Sequence, residues 1–214
     1  MIYAVATGDI VESSQFKGAQ KDRLNKSLTN SFNEIKQFTK KEASSKFSIF
    51  RGDSFQGLFT HLEDALKAAI FIRAKLRESQ PDEAKYNWDA RIAIGTGTVE
   101  YLPENITEGD GPAYQNSGPV LDKLKGNFRC AVKTPDKEAN DEFKALCALL
   151  DAVIAKWTPS QAETVAMLLQ GMTPKEMSKK LNISQAAIHY RIKGAGWFAI
   201  EALLERNKQL MKNK

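Results

Sequence analysis

What most constrains this chain is a hydrophobic period that switches between two residues and about 3.6 in a set order over its first 95 positions. Residues 2–7 read as a buried strand. Leu24, Leu28, Phe32, Ile35 and Phe38 then recur at three- and four-residue spacing, which puts them on one helical face. The run KFSIFRGDSFQGLF holds two strand-like stretches around Gly52 and Asp53, where a two-residue Gly-X turn predicts a tight hairpin. Leu62, Ala65, Leu66, Ala69, Ile70, Arg73 and Leu76 form a second inward helical face. Trp88, Ala90, Ile92 and Ile94 then alternate as on one side of a strand.

Strand, helix, strand, strand, helix, strand is the order of a ferredoxin-like unit, whose strands lie 4-1-3-2. The first and third strands are then adjacent and antiparallel, so the end of the first, at Asp9, and the hairpin carrying Asp53 meet at one edge. Two carboxylates there predict an oxygen site for a hard divalent cation, Mg²⁺ or Mn²⁺, which takes one or two carboxylates plus substrate phosphates. A plainer reading stays open, in which Asp9 caps a loop and Gly-Asp is ordinary turn chemistry.

Residues 103–126 carry Pro103, Gly109, Gly111, Pro112, Gly118 and Pro119, so any helix among them is short or broken. NFRCAVK predicts a further strand with Phe128, Cys130 and Val132 on one side, and the polar TPDKEAND marks a boundary. Beyond it Phe143, Leu146, Leu150, Val153 and Trp157 follow an a/d spacing for about two heptads. That helix either dimerises or packs on the first domain. The two cysteines, Cys130 and Cys147, match no metal or redox spacing and read as small apolar packing.

Charge divides unevenly. From Trp157 onward there are nine of the 31 Lys/Arg and four of the 26 acids, so the preceding residues balance at 22 of each. All of the net +5 therefore sits in the last quarter, which points to nucleic acid as the partner. Three helices can be punctuated there. Thr158 with Pro159 and Gln161, and Thr173 with Pro174 and Glu176, are capping boxes. Gly171 ends the first helix and Ser184 caps the third, whose inward face is Ile188 and Ile192. The string TPSQAETVAMLLQGMTPKEMSKKLNISQAAIHYRIK resembles the helix-turn-helix modules of response regulators and of the last region of sigma factors. That resemblance implies binding to double-stranded DNA. At about 100° per residue, Gln185, Ala186, His189, Tyr190 and Lys193 point outward as base-edge candidates. Ser184, Lys175, Lys179 and Lys180 would hold the phosphate backbone. A protein partner for the three helices is the alternative.

GDIVESS, RGDSFQGLF, RIAIGTG and EGDGPAYQNSG resemble, in order and spacing, the metal-binding strand, Gly-Asp hairpin, following strand and later loop of class III nucleotidyl cyclases. They are closer still to the cyclase-like SatD family. The resemblance covers about residues 1–135 and implies metal ligation by Asp9 and Asp53, with the Ile10 carbonyl as a third ligand. Arg51, Gly52, Asn116 (or Gln115) and Lys123 (or Lys125) are the phosphate-facing candidates. The chain departs from cyclases twice. Ile49 and Phe50 stand where a base-reading Lys is expected, and Gly118, Pro119 and Val120 leave no Arg to stabilise the transferring phosphate, a loss worth a hundredfold or more in rate.

The fold class expected is therefore α+β: a ferredoxin-like (palm, cyclase-like) domain over 1–135, a linker helix over 136–156 and an all-α helix-turn-helix domain over 157–214. The function expected is a DNA-binding transcriptional regulator, dimeric, with a non-catalytic nucleotide- or metal-sensing domain. An active cyclase or nucleotidyl transferase with a regulatory tail is the alternative. No run of about 18 apolar residues and no secretory leader pattern is present, so the expected location is the cytoplasm.

Overall fold

The computed structural model describes residues 1–39, 46–50, 52–82 and 87–212. Five strands, β1 (Tyr3–Ile10), β2 (Lys46–Phe50), β3 (Ser54–Phe59), β4 (Ala90–Gly97) and β5 (Cys130–Lys133), form one sheet in the order β2-β3-β1-β4-β5. The first four keep the ferredoxin-like order. β1 runs antiparallel to β3 and β4, and β5 is added in parallel beside β4. Period-two alternation on β1 sorts its side chains. Ala4, Ala6 and Ile10 join the main core, whereas Val5 joins a smaller cluster with Leu58, Ile106, Ala113 and Tyr114.

Helices α1 (Ala19–Phe38) and α2 (Leu62–Ser79) cover the main-core side, and α3 (Pro112–Leu121) the other. α3 starts with Pro112 in its first turn and carries Pro119 inside, so it is short, as the sequence implies. It lies against β4 at Gly95, where a Cβ would collide with the Ala113 carbonyl and the Ser117 amide. Glycine is needed there for close backbone approach.

Thirteen of the eighteen residues of α2 are buried, more than one helical face can supply. The sheet lies on one side of α2 and α5 (Pro159–Leu169) on another, with α8 (Trp197–Lys212) also against it. The main core is therefore continuous from Ala4 and Ile94 through Leu66 and Ile70 to Val165, Leu169, Ile200 and Leu203. It also takes in Phe143, Cys147, Leu150 and Ile154 of α4 (Lys137–Ile154), so the inward side of that helix packs on its own chain. α6 (Pro174–Leu181) and α7 (Gln185–Gly194) close a satellite cluster of Met167, Met177 and Ile188.

Two local expectations change. Phe50 pairs with Ser54, a wider closure than a two-residue Gly-X turn gives, with Gly52 at φ 80°. Strand β5 begins at Cys130, leaving Phe128 55% exposed, because the chain reaches the sheet only after the turn at Gly126.

Candidate functional site

The two aspartates do reach the same end of the sheet. Asp9 pairs in register with Ser54, and the Ile10 amide donates to the Asp53 carbonyl at 3.0 Å. Their carboxylates, however, have other partners. Arg91, opposite Asp9 on β4, donates from Nε at 2.8 Å and from Nη2 at 2.5 Å to the two Asp9 oxygens. Its Nη1 donates to the Leu124 carbonyl at 2.9 Å. The hydrogen bonds to Asp9 hold the Arg91 guanidinium above its ordinary pKa, burial opposing. Asp53 accepts from the hydroxyls of Ser13 and Ser54, the latter at 3.4 Å.

A guanidinium thus already neutralises Asp9 where a cation was expected, so a divalent ion would have to displace Arg91. The side chain of Ile10 points into the main core. Among the described residues no three His, Cys, Asp or Glu side chains group as a metal site. The donor set as folded does not fit a resident divalent ion.

The remaining phosphate-facing candidates are dispersed. Arg51 lies outside the described residues. Gly52 is exposed at the hairpin, and Lys123 is exposed just beyond α3. Asn116 donates to the Thr96 carbonyl at 2.9 Å, tying α3 to β4. On the same side Thr7 shares a hydrogen bond of 3.0 Å with Ser117 and accepts one of 3.2 Å from Gln56. Helix α3 and this polar chain occupy part of the sheet surface on which Asp9 lies.

The C-terminal candidates fall together. Thr158 with Gln161 and Thr173 with Glu176 form complete capping boxes, and Ser184 accepts from the Ala187 amide. α7 turns Ile188 inward, and Arg191 is paired to Glu163 at 3.1 Å. Gln185, Ala186, His189, Tyr190 and Lys193 are all exposed on it, Tyr190 to 77%. Ser184 and, on α6, Lys175, Lys179 and Lys180 are exposed as well.

Sequence reasoning missed the most deeply buried charges. Arg73 and Arg77 of α2 meet Asp89, ahead of β4, and Arg73 also meets Asp151 of α4 at 2.5 Å. A signal was present: Arg73 occupies an inward position in an otherwise apolar helical period, with Arg77 one turn later. Burial lowers the Arg77 pKa, whereas Arg73 is raised because Asp89 and Asp151 outweigh burial.

These features define an α+β protein in which a five-stranded sheet shares one core with a C-terminal helical cluster. The chain belongs to the SatD family, whose sequence model matches residues 3–212. The helices from Pro159 on therefore lie within the family's own extent. No curated protein matches the chain. Among solved structures, the active GGEEF domain of a diguanylate cyclase from Vibrio cholerae is similar over 63% of this chain and 85% of that one, with 18% identity and a TM-score of 0.41. A bacterial light-regulated adenylyl cyclase is similar over 61% and 74%, with 12% identity and a TM-score of 0.43. Among the described residues no helix is long and apolar enough to cross a membrane.

Proposed function

We propose that this SatD-family protein is a DNA-binding regulator that reads the duplex through α7 while the sheet acts as its scaffold. The observation that carries the reading is the outward face of α7, where Gln185, His189, Tyr190 and Lys193 are exposed beside three unburied lysines of α6. A capped helix whose inner side is held by Ile188 can enter a major groove as a rigid element. Gln185 is suited to adenine, Lys193 to guanine or a phosphate. α7 packs on α5 and α5 on α2, so this face is tied to the sheet unit through α5 and α2.

The rival, an active nucleotidyl cyclase or transferase, has less support. Asp9 is held by Arg91, and α3 offers Val120 where a phosphate-stabilising cation is expected.

The test is duplex binding over a salt series. If Lys175, Lys179, Lys180 and Lys193 each neutralise one phosphate, log affinity falls against log salt with a slope of roughly −3 to −4. Lys179→Glu combined with Lys180→Glu then lowers affinity and flattens that slope by about two. Binding that ignores salt, or that the double variant leaves intact, refutes the proposal.

A further inference from the structure

A cavity of about 470 Å³ opens between the end of α2, α4 and the segments leading into β4 and β5. Its size is that of a small-molecule site. Arg73, Arg77, Asp89 and Asp151 form its charged floor, and Arg129 and Phe128 stand beside them.

Hydrogen-bond capacity in this floor is unevenly spent. Asp89 accepts from Arg73 Nε at 2.8 Å and Nη2 at 3.0 Å, from Arg77 Nη2 at 3.3 Å and from the Ala90 amide at 2.9 Å. Asp151 accepts from Arg73 Nη1 at 2.5 Å and from the amides of Arg129 at 2.8 Å and Cys130 at 3.2 Å. Both carboxylates are therefore fully engaged or nearly so. The guanidiniums are not. Arg77 is only 4% exposed, yet its Nε and Nη1 are buried with no hydrogen-bond partner. Among the described residues the Arg129 guanidinium reaches only the backbone carbonyls of Gly126 and Phe128.

Among the described residues, three guanidiniums thus face two occupied internal carboxylates, and the other acid of the lining, Glu12, is exposed at the rim. The lining therefore carries positive charge that its own carboxylates do not balance, and an anion in the cavity supplies the counter-charge. The half-exposed Phe128 ring offers an apolar plane next to Asn87 and Asn127.

We propose that this cavity binds a small oxyanion, a phosphate or carboxylate carried on a planar group, with Arg129 receiving the anion, the buried charge of Arg77 attracting it from beneath and Phe128 holding the plane. The site is separate from the DNA reading and stands or falls without it.

The experiment is a calorimetric titration of the full chain at fixed ionic strength with inorganic phosphate, AMP and benzoate. Saturable one-to-one binding is expected, on the order of millimolar for inorganic phosphate. AMP is expected to bind about tenfold tighter or better because its base can stack on Phe128. Binding of phosphate and AMP identifies a phosphate ligand, and binding of benzoate alone a carboxylate. Arg77→Gln disturbs the ion network and can unfold the chain, so two gentler variants carry the test. Arg129→Gln removes a guanidinium that no carboxylate holds, and Ala152→Phe fills the cavity from an exposed position on α4. Each should weaken the bound probe at least about tenfold, given that charge-assisted hydrogen bonds are the strong ones. No saturable binding of any probe, or binding that both variants leave unchanged, overturns the proposal.

Discussion

Replacing Asp89 by Asn should destabilise this protein more than the loss of one surface charge could. Arg73 Nη2 and Arg77 Nη2 both point at Oδ2, while Arg73 Nε and the Ala90 amide point at Oδ1. Whichever way an asparagine amide is turned, its NH₂ group meets two donors. The neighbours also lose their counter-charge at a site where Arg73 is 1% exposed and Asp89 4%. Breaking a buried ion pair from one side costs about 3–5 kcal/mol. In a chain of this length that lowers Tm by roughly 6–20 °C.

The pH dependence follows from the same contacts. Burial opposes ionisation of Asp89, but the charges and hydrogen bonds of Arg73 and Arg77 outweigh it and hold the carboxyl below its ordinary range. A depressed folded pKa means stability that is complete above the unfolded value, about 3.9, and is lost as pH falls through the folded one. Urea melts of both proteins from neutral to acid pH should therefore show a large gap at neutrality that narrows below about pH 4. A loss of under about 1 kcal/mol at neutral pH would show that the cluster is solvated or compensated and would refute the reasoning.

Two further substitutions probe the packing. Gly95→Ala forces a Cβ into the Ala113 carbonyl and the Ser117 amide, so α3 must shift; a loss of about 1–3 kcal/mol in chemical denaturation is expected, and a neutral result would mean that the approach is looser than described. Asn207 of α8 is fully buried with neither amide atom hydrogen-bonded. Asn207→Leu should therefore raise stability, by on the order of 1 kcal/mol or more, and a lower midpoint in the same assay would contradict it.

The order of elements through β4 and the capped starts of α5, α6 and α7 were legible because the forces that set them act over a few residues, whereas α8 was not read at all. Leu24, Leu28, Phe32 and Ile35 share a face through spacing alone, and Thr173 caps the amide of Glu176 three positions on. The outward set on α7 follows from the same helical geometry.

The partners of charges were not legible. Asp9 was visible as a strand-ending carboxylate, but Arg91 lies 82 residues away and becomes its neighbour only through the β1–β4 register. Arg73 needs both Asp89 and Asp151, 16 and 78 positions distant, before burial is tolerable. The sequence by itself thus determined most of the segments that are strands or helices, α8 excepted, and which side of each is apolar, since periodicity is a local property. Only the tertiary structure decided which carboxylates remain free to bind anything, because a long-range ion pair depends on which elements are brought together.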